Sequence, residues 1–169
     1  MSQFYKVSKK QFELDCLKLH WVMTGENSFE TAEIKLPARA TFASAGYDIY
    51  APINFVLHPG AVITIPTGLK VELDPFKFLM IVPRSSPGFK YQLGLVNTVG
   101  IVDRDYYNNP DNEGHIMVRL INRGDKDCRI FAGTAFCQGI IMPYCTCRDD
   151  EVYTNRIGGF GSTDKEEAV

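Results

Sequence analysis

His115-Ile-Met-Val-Arg-Leu-Ile-Asn122 repeats with a period of two: Ile116, Val118 and Leu120 alternate with Met117, Arg119 and Ile121. Successive side chains of a strand point to opposite faces, so this is the pattern of a strand with one face in a core. The pattern recurs outward in both directions. Leu69, Val71 and Leu73 alternate with Lys70 and Glu72, and Leu17, Leu19, Trp21 and Met23 alternate with Lys18, His20 and Thr24. Phe78 to Val82 is a continuous apolar run of strand length, and Phe136 to Met142 is another, interrupted by Gln138-Gly139. Turn formers such as Pro59-Gly60, Pro75, Pro87-Gly88, Gly124 and Pro143 separate these runs. Such punctuation, with no sustained helical stripe, predicts an all-β domain: a distorted jelly roll or β-barrel in which helix is minor.

A length of 169 residues suits one domain with one core. The net charge is −2, with lysines and arginines scattered, which argues against a protein that lives on nucleic-acid backbone. No apolar stretch has the length of a signal sequence or a membrane span. The five cysteines are odd in number and lack paired metal-ligand spacing, which predicts a reduced, cytoplasmic protein with inert buried thiols. His20, His58 and His115 are mutually remote in sequence and read as packing or surface residues rather than zinc ligands. The expected organisation is a β-domain over residues 1–155, its first 35 residues an N-terminal extension and strand, followed by a mobile C-terminal arm over 156–169.

Five segments carry residues suited to chemistry. Asn97-Thr-Val-Gly-Ile-Val-Asp103-Arg-Asp-Tyr106 sets an amide, a carboxylate and a phenol at fixed offsets, with Gly94 and Gly100 allowing tight backbone and Ile101-Val102 seating the acid. That is what a pocket needs to read a small polar ring with its backbone and to activate a water. Taken alone, it is equally a β-hairpin with a charged tip. Ala45-Gly-Tyr-Asp48 places an acid at a strand start, and Pro83-Arg84-Ser85-Ser86 ends a buried strand with a guanidinium and two hydroxyls able to fork onto phosphate. Gln138 interrupts an apolar strand. Arg156-Ile-Gly-Gly-Phe160-Gly161-Ser162-Thr163 frames one ring with three glycines beside two hydroxyls, as a segment closing over a phosphorylated ligand would.

In this order the segments AGYDIYA, PRSS, GLVNTVGIVDRDYY, AFCQG and RIGGFGST resemble the five motifs of the homotrimeric deoxyuridine triphosphatase (dUTPase) family. The resemblance spans about Leu36 to Thr163. It implies an enzyme that hydrolyses dUTP to dUMP and pyrophosphate, limiting uracil in DNA, with jelly-roll subunits, Mg²⁺ and three sites at subunit interfaces. It further implies that Asp103 is the general base for water attack on the α-phosphorus, and that Tyr106 stacks on deoxyribose and excludes a 2′-hydroxyl. Asn97, Gly100 and Val102 would read uracil. Arg84, Ser85, Ser86 and Gln138 would contact the phosphates, and Asp48 would hold a water of the Mg²⁺ shell. Phe160 and Gly161 of the arm would cover the base, while Arg156, Ser162 and Thr163 grip the phosphates. No membrane or nucleic-acid partner is implied.

The chain departs from the family pattern at Ser86-Pro87, where glycine and a small apolar residue are usual, and at Gly133-Thr134-Ala135, where Gly-Asp-Arg is usual. The related deoxycytidine triphosphate deaminases need a glutamate on the strand after the third motif. Here that strand carries Arg119 and no acid, which disfavours deamination. A trimeric binding or regulatory protein would use the loop 107–114 and the first thirty residues, but it would not need Asp103, Tyr106 and Phe160 together.

Overall fold

The computed structural model describes residues 1–21 and 32–152. Within them the chain runs β1 (Gln3–Lys6), α1 (Lys9–Lys18), β2 (Ala38–Arg39), β3 (Tyr47–Tyr50), β4 (Phe55–Leu57), β5 (Val62–Pro66), β6 (Leu69–Glu72) and β7 (Lys77–Pro83). It continues as α2 (Ser85–Tyr91), β8 (Leu93–Leu95), β9 (Gly100–Val102), β10 (Met117–Asn122), β11 (Cys128–Ile130) and β12 (Ala135–Pro143). All pairings are antiparallel: a five-stranded sheet in the order β2-β3-β12-β7-β9, a three-stranded sheet β5-β10-β8, and the pairs β1-β6 and β4-β11. This is an all-β fold of the jelly-roll type, as the period-two pattern predicts.

The alternation works as expected in β10, where Val118, Leu120 and Asn122 are buried and Arg119 is exposed, and in β6, where Leu69 and Val71 face inward. The continuous apolar run in β7 has both faces covered: Leu79 and Ile81 are buried, and Phe78, Met80 and Val82 between them are half-buried rather than exposed. One buried cluster joins residues of all four sheets, among them Ile49, Phe55, Ile65, Leu69, Leu79, Leu120 and Phe136. In β12 the register slips between Ala135 and Cys137, so consecutive residues Phe136 and Cys137 are both buried. Such a bulge re-aims the side chains beyond it. Here it brings Gln138 opposite Asp48 of β3.

Over its described part, residues 17–21, the alternation expected from Leu17 onward is not a strand. Ser8 caps α1, its hydroxyl accepting from the Gln11 amide, and the helix buries Phe12, Asp15 and Cys16 while Leu17 is exposed. Phe12 and Cys16 are four apart and share a face, but the third inward position is a carboxylate, which breaks the apolar stripe. Likewise the Arg-Ser-Ser turn is the opening of α2, which ends at Gln92 in the left-handed conformation (φ 51°). The expectation of buried thiols holds for Cys16, Cys128 and Cys137, where burial pushes each thiol up, that of Cys16 to about 12. Cys145 and Cys147 are exposed beyond the end of β12 and share no strand face.

Residues 1–18 are tied down by three carboxylates. Asp74 receives the Met1 amine at 3.0 Å and the Ser2 amide, Glu113 receives the Ser8 amide, and Asp15 meets His115. Lys77 and the terminal amine hold Asp74 below the ordinary carboxylate range, and the Ser8 hydroxyl does the same for Glu113. Burial pushes Asp15 up, but hydrogen bonds to His115 and Gln11 outweigh it and leave the carboxyl lowered. A carboxylate lowered in the fold contributes stability that is whole above its unfolded pKa and is lost as pH falls through its folded one. Trp21, the single tryptophan, follows α1, donates to the Thr64 carbonyl at 2.9 Å and meets Phe55 edge-on. Its emission should therefore shift as pH falls below about 4, ahead of the loss of β circular dichroism. Emission that changes only with the global acid transition would oppose this.

Candidate functional site

The segment 97–106 is not a two-stranded hairpin. The strands on either side of its first turn enter different sheets: β8, just before the segment, pairs with β10, and β9 pairs with β7. The turn between them closes with the Val99 amide donating to the Asn97 carbonyl at 2.6 Å, which forces Thr98 to φ 66°. A β-branched residue there is a true outlier, held only because strands on both sides fix the turn. The fork between the diverging arms is a cavity of about 650 Å³. Asn97, Gly100, Ile101 and Val102 line one side, and Thr64, Met117 and Arg119 line the other. Gly100 lies against Ile81, whose Cβ would stand 3.2 Å from a side chain placed there. Backbone at the turn is thus offered to the cavity, as reading a base edge requires.

Asp103 leaves the end of β9 just after the buried Val102, half-buried, and its carbonyl accepts from the Tyr106 amide at 3.2 Å. Tyr106 is 2% exposed, more enclosed than a ring offered freely to a sugar, so that at most its edge is presented. Its hydroxyl donates to the His115 carbonyl at 3.2 Å and accepts from Asn112 Nδ2 at 2.7 Å. The loop 107–114 therefore wraps the phenol instead of standing apart from it.

The phosphate-type residues form a second cluster. Arg84 Nε pairs with Asp48 Oδ1 at 2.8 Å and Nη1 donates to the Ala135 carbonyl; Gln138 Nε2 donates to the Pro83 carbonyl at 3.2 Å. Gly46 gives Gln138 its place, since a Cβ there would collide with Oε1. Ser85 and Ser86 open α2 beside Arg84, and both are solvent-accessible. Val102 is in register with Leu79 on β7, whereas Arg84 lies just past the other end of that strand. At about 3.3 Å per residue, Asp103 and Arg84 are roughly 17–20 Å apart. The structure thus brings together Asn97, Gly100 and Val102 with Asp103 beside them, and separately Asp48, Arg84, Ser85, Ser86 and Gln138. It does not bring the two groups together within one chain. Arg156, Phe160, Gly161, Ser162 and Thr163 lie outside the described residues.

Thr64, Met117 and Arg119 escape a motif-based reading because they come from strands remote in sequence. The available signal is the outward half of the β10 alternation, Met117 and Arg119, which has to face something. Among the described residues no group of three His, Cys, Asp or Glu side chains could hold a metal.

A family model for dUTPase matches residues 32–163. The deoxyuridine 5'-triphosphate nucleotidohydrolase of Lactococcus lactis is 43% identical over 137 residues, covering 80% of this chain and 91% of that protein. That of Hahella chejuensis is 38% identical over 139 residues, covering 78% and 88%. The crystal structure of a dUTPase from Streptococcus mutans superposes with a TM-score of 0.66 at 33% identity, covering 85% of this chain and 97% of that one. These matches, on this fold, define a nucleotide hydrolase of all-β build. The chain belongs to the dUTPase family, whose reaction is the hydrolysis of dUTP to dUMP and pyrophosphate.

Proposed function

We propose that this chain hydrolyses dUTP by water attack on the α-phosphorus, at sites shared between copies of a homotrimer. The observation that carries the reading is the forked cavity with Asp103 directly after its lining residue Val102, at the end of β9. Uracil enters the fork, where the turn backbone and Asn97 meet its edge and Gly100 and Val102 leave it room. Cytosine presents the opposite donor and acceptor pattern and leaves those groups unpaired, a mismatch worth about 10⁴–10⁵ in a dry site. Tyr106 forms the floor under deoxyribose. Asp103 takes the proton of the attacking water as the bond to the α-phosphorus forms and pyrophosphate leaves. Phe160 and Gly161 close over the base, with Arg156, Ser162 and Thr163 on the phosphates.

Phosphoryl transfer depends on positioning and charge neutralisation more than on covalent help. Arg84, Ser85, Ser86 and Gln138 supply that on the phosphate side. A general base has to lie within about one water of the atom it serves. The 17–20 Å between Asp103 and Arg84 is too long for one nucleotide's phosphates to span from within one chain. The separation supports a site that joins the cavity of one copy to the phosphate cluster of another. Mg²⁺ keeps several waters and takes few protein carboxylates. The donor set here, a single Arg-paired Asp48 near the phosphate cluster, fits an ion held by substrate phosphates with Asp48 on one of its waters. When bound, that ion neutralises phosphate charge. The five free cysteines support a reducing, cytoplasmic setting, and no helix among the described residues is long and apolar enough to cross a membrane.

With Mg²⁺, purified protein should release pyrophosphate from dUTP and work poorly on UTP, dCTP and dTTP. Absence of pyrophosphate release from dUTP would sink this reading, and light scattering tests the trimer.

A further inference from the structure

Residues 1–18 precede the stretch matched by the family model, yet they are built into the wall behind Tyr106. Two cross-links join α1 to the loop 107–114 and its end. At the first turn, both the Ser8 amide and hydroxyl donate to the Glu113 carboxylate. Two turns on, Asp15 Oδ2 lies 2.7 Å from His115 Nδ1. His115 is fully buried, and its Nε2 accepts from the Gly68 amide at 2.7 Å. An accepting Nε2 puts the ring proton on Nδ1, so the imidazole donates to Asp15 and has one orientation. Phe12 of the same helix packs on that ring.

The chain of contacts continues to the site. The carbonyl of His115 receives the Tyr106 hydroxyl, which also accepts from Asn112 of the loop. Gly114, between them, sits at φ 76°, where a Cβ would collide with the Tyr106 carbonyl, so only glycine lets the loop lie this close to the tyrosine backbone. We propose that α1 is a positioning device: Asp15, through His115, fixes the loop 107–114 and with it the tyrosine floor that separates deoxyribose from ribose. Asp15 and His115 touch no substrate atom and act through Tyr106. The inference rests on the reading of Tyr106 as that floor.

The test uses the full chain with Asp15→Ala and Asp15→Asn. In ligand-free protein, Asp15→Ala should speed amide exchange across residues 106–115 while β7 and β12 keep their protection. The ratio of kcat/KM for dUTP over UTP should fall about tenfold, since small displacements at a positioned group cost rate steeply. Asp15→Asn keeps an oxygen facing His115 Nδ1–H and should restore most of the ratio. If Asp15→Ala does not fold, Ser8→Ala loosens the other cross-link and carries the same expectations. An unchanged dUTP/UTP ratio overturns the proposal whatever the exchange shows, because a merely structural helix lowers the melting temperature without moving that ratio. Wild-type protein inert on dUTP would fail the site reading instead, and exchange at 106–115 would still judge the link: unchanged exchange in Asp15→Ala overturns it, and faster exchange supports it.

Discussion

Asp103→Asn should lower turnover of dUTP by about 10²–10⁴ while leaving fold and nucleotide binding in place. Asparagine has the shape of aspartate but takes no proton from water, so the substitution removes the base while keeping the size of the side chain. The position tolerates it. Asp103 is half-buried just past the end of β9, and the bond that shapes the local turn uses its backbone carbonyl, which the variant retains. Neighbouring Arg104 is anchored independently, its Nε donating to the Leu73 carbonyl. Calorimetry with a non-hydrolysable dUTP analogue and a pyrophosphate-release assay separate the two quantities. An unaltered Kd with turnover lost is the expected result. Turnover near that of the wild type would remove Asp103 from the role.

The sequence discloses strands more readily than it discloses what lies between them. Period-two patterning finds β6 and β10 because each has one wetter face, and the apolar runs of β7 and β12 because over most of their length the second face is half-buried rather than exposed. It fails at α1 for a physical reason. One of the three inward positions is Asp15, whose burial makes sense only once His115, a hundred residues away, is seen against it. It also leaves the segment 97–106 open to reading as a β-hairpin with a charged tip, since turn residues look alike whether the neighbouring strands pair with each other or diverge into two sheets. The divergence is what creates the cavity. On the site, the motifs single out Asn97, Asp103 and Arg84 as residue types, but not the roughly 17–20 Å between the last two. That distance depends on strand register. Tyr106 shows the same limit: its motif position speaks of a ring beside a sugar, while its near-complete burial and its two hydroxyl partners come only from the folded loop.

Mixing two inactive variants should restore activity. Asp103→Asn spoils the cavity side of a site, and Arg84→Ala spoils the phosphate side. If one chain supplied both sides, no mixture could recover, because every chain carries one defect. If each site joins the cavity of one copy to the phosphate cluster of a neighbour, some sites in mixed trimers combine two intact halves. For equal, random mixing in a closed ring, the chance is one half for each side, so co-expressed variants should reach about one quarter of wild-type activity. The Arg84 substitution needs its own control, since its Nε holds Asp48 at 2.8 Å and its loss leaves a half-buried carboxylate without that partner. A melting curve near that of the wild type shows that the Arg84→Ala subunit is folded, and light scattering shows that the two variants assemble together. Folded, co-assembled variants that stay silent in mixture would overturn the shared site and return the phosphate cluster to a structural role, with Arg84 and Gln138 buttressing the ends of β3, β7 and β12. Recovery to about a quarter would assign the two clusters, roughly 17–20 Å apart in one chain, to one site made by two.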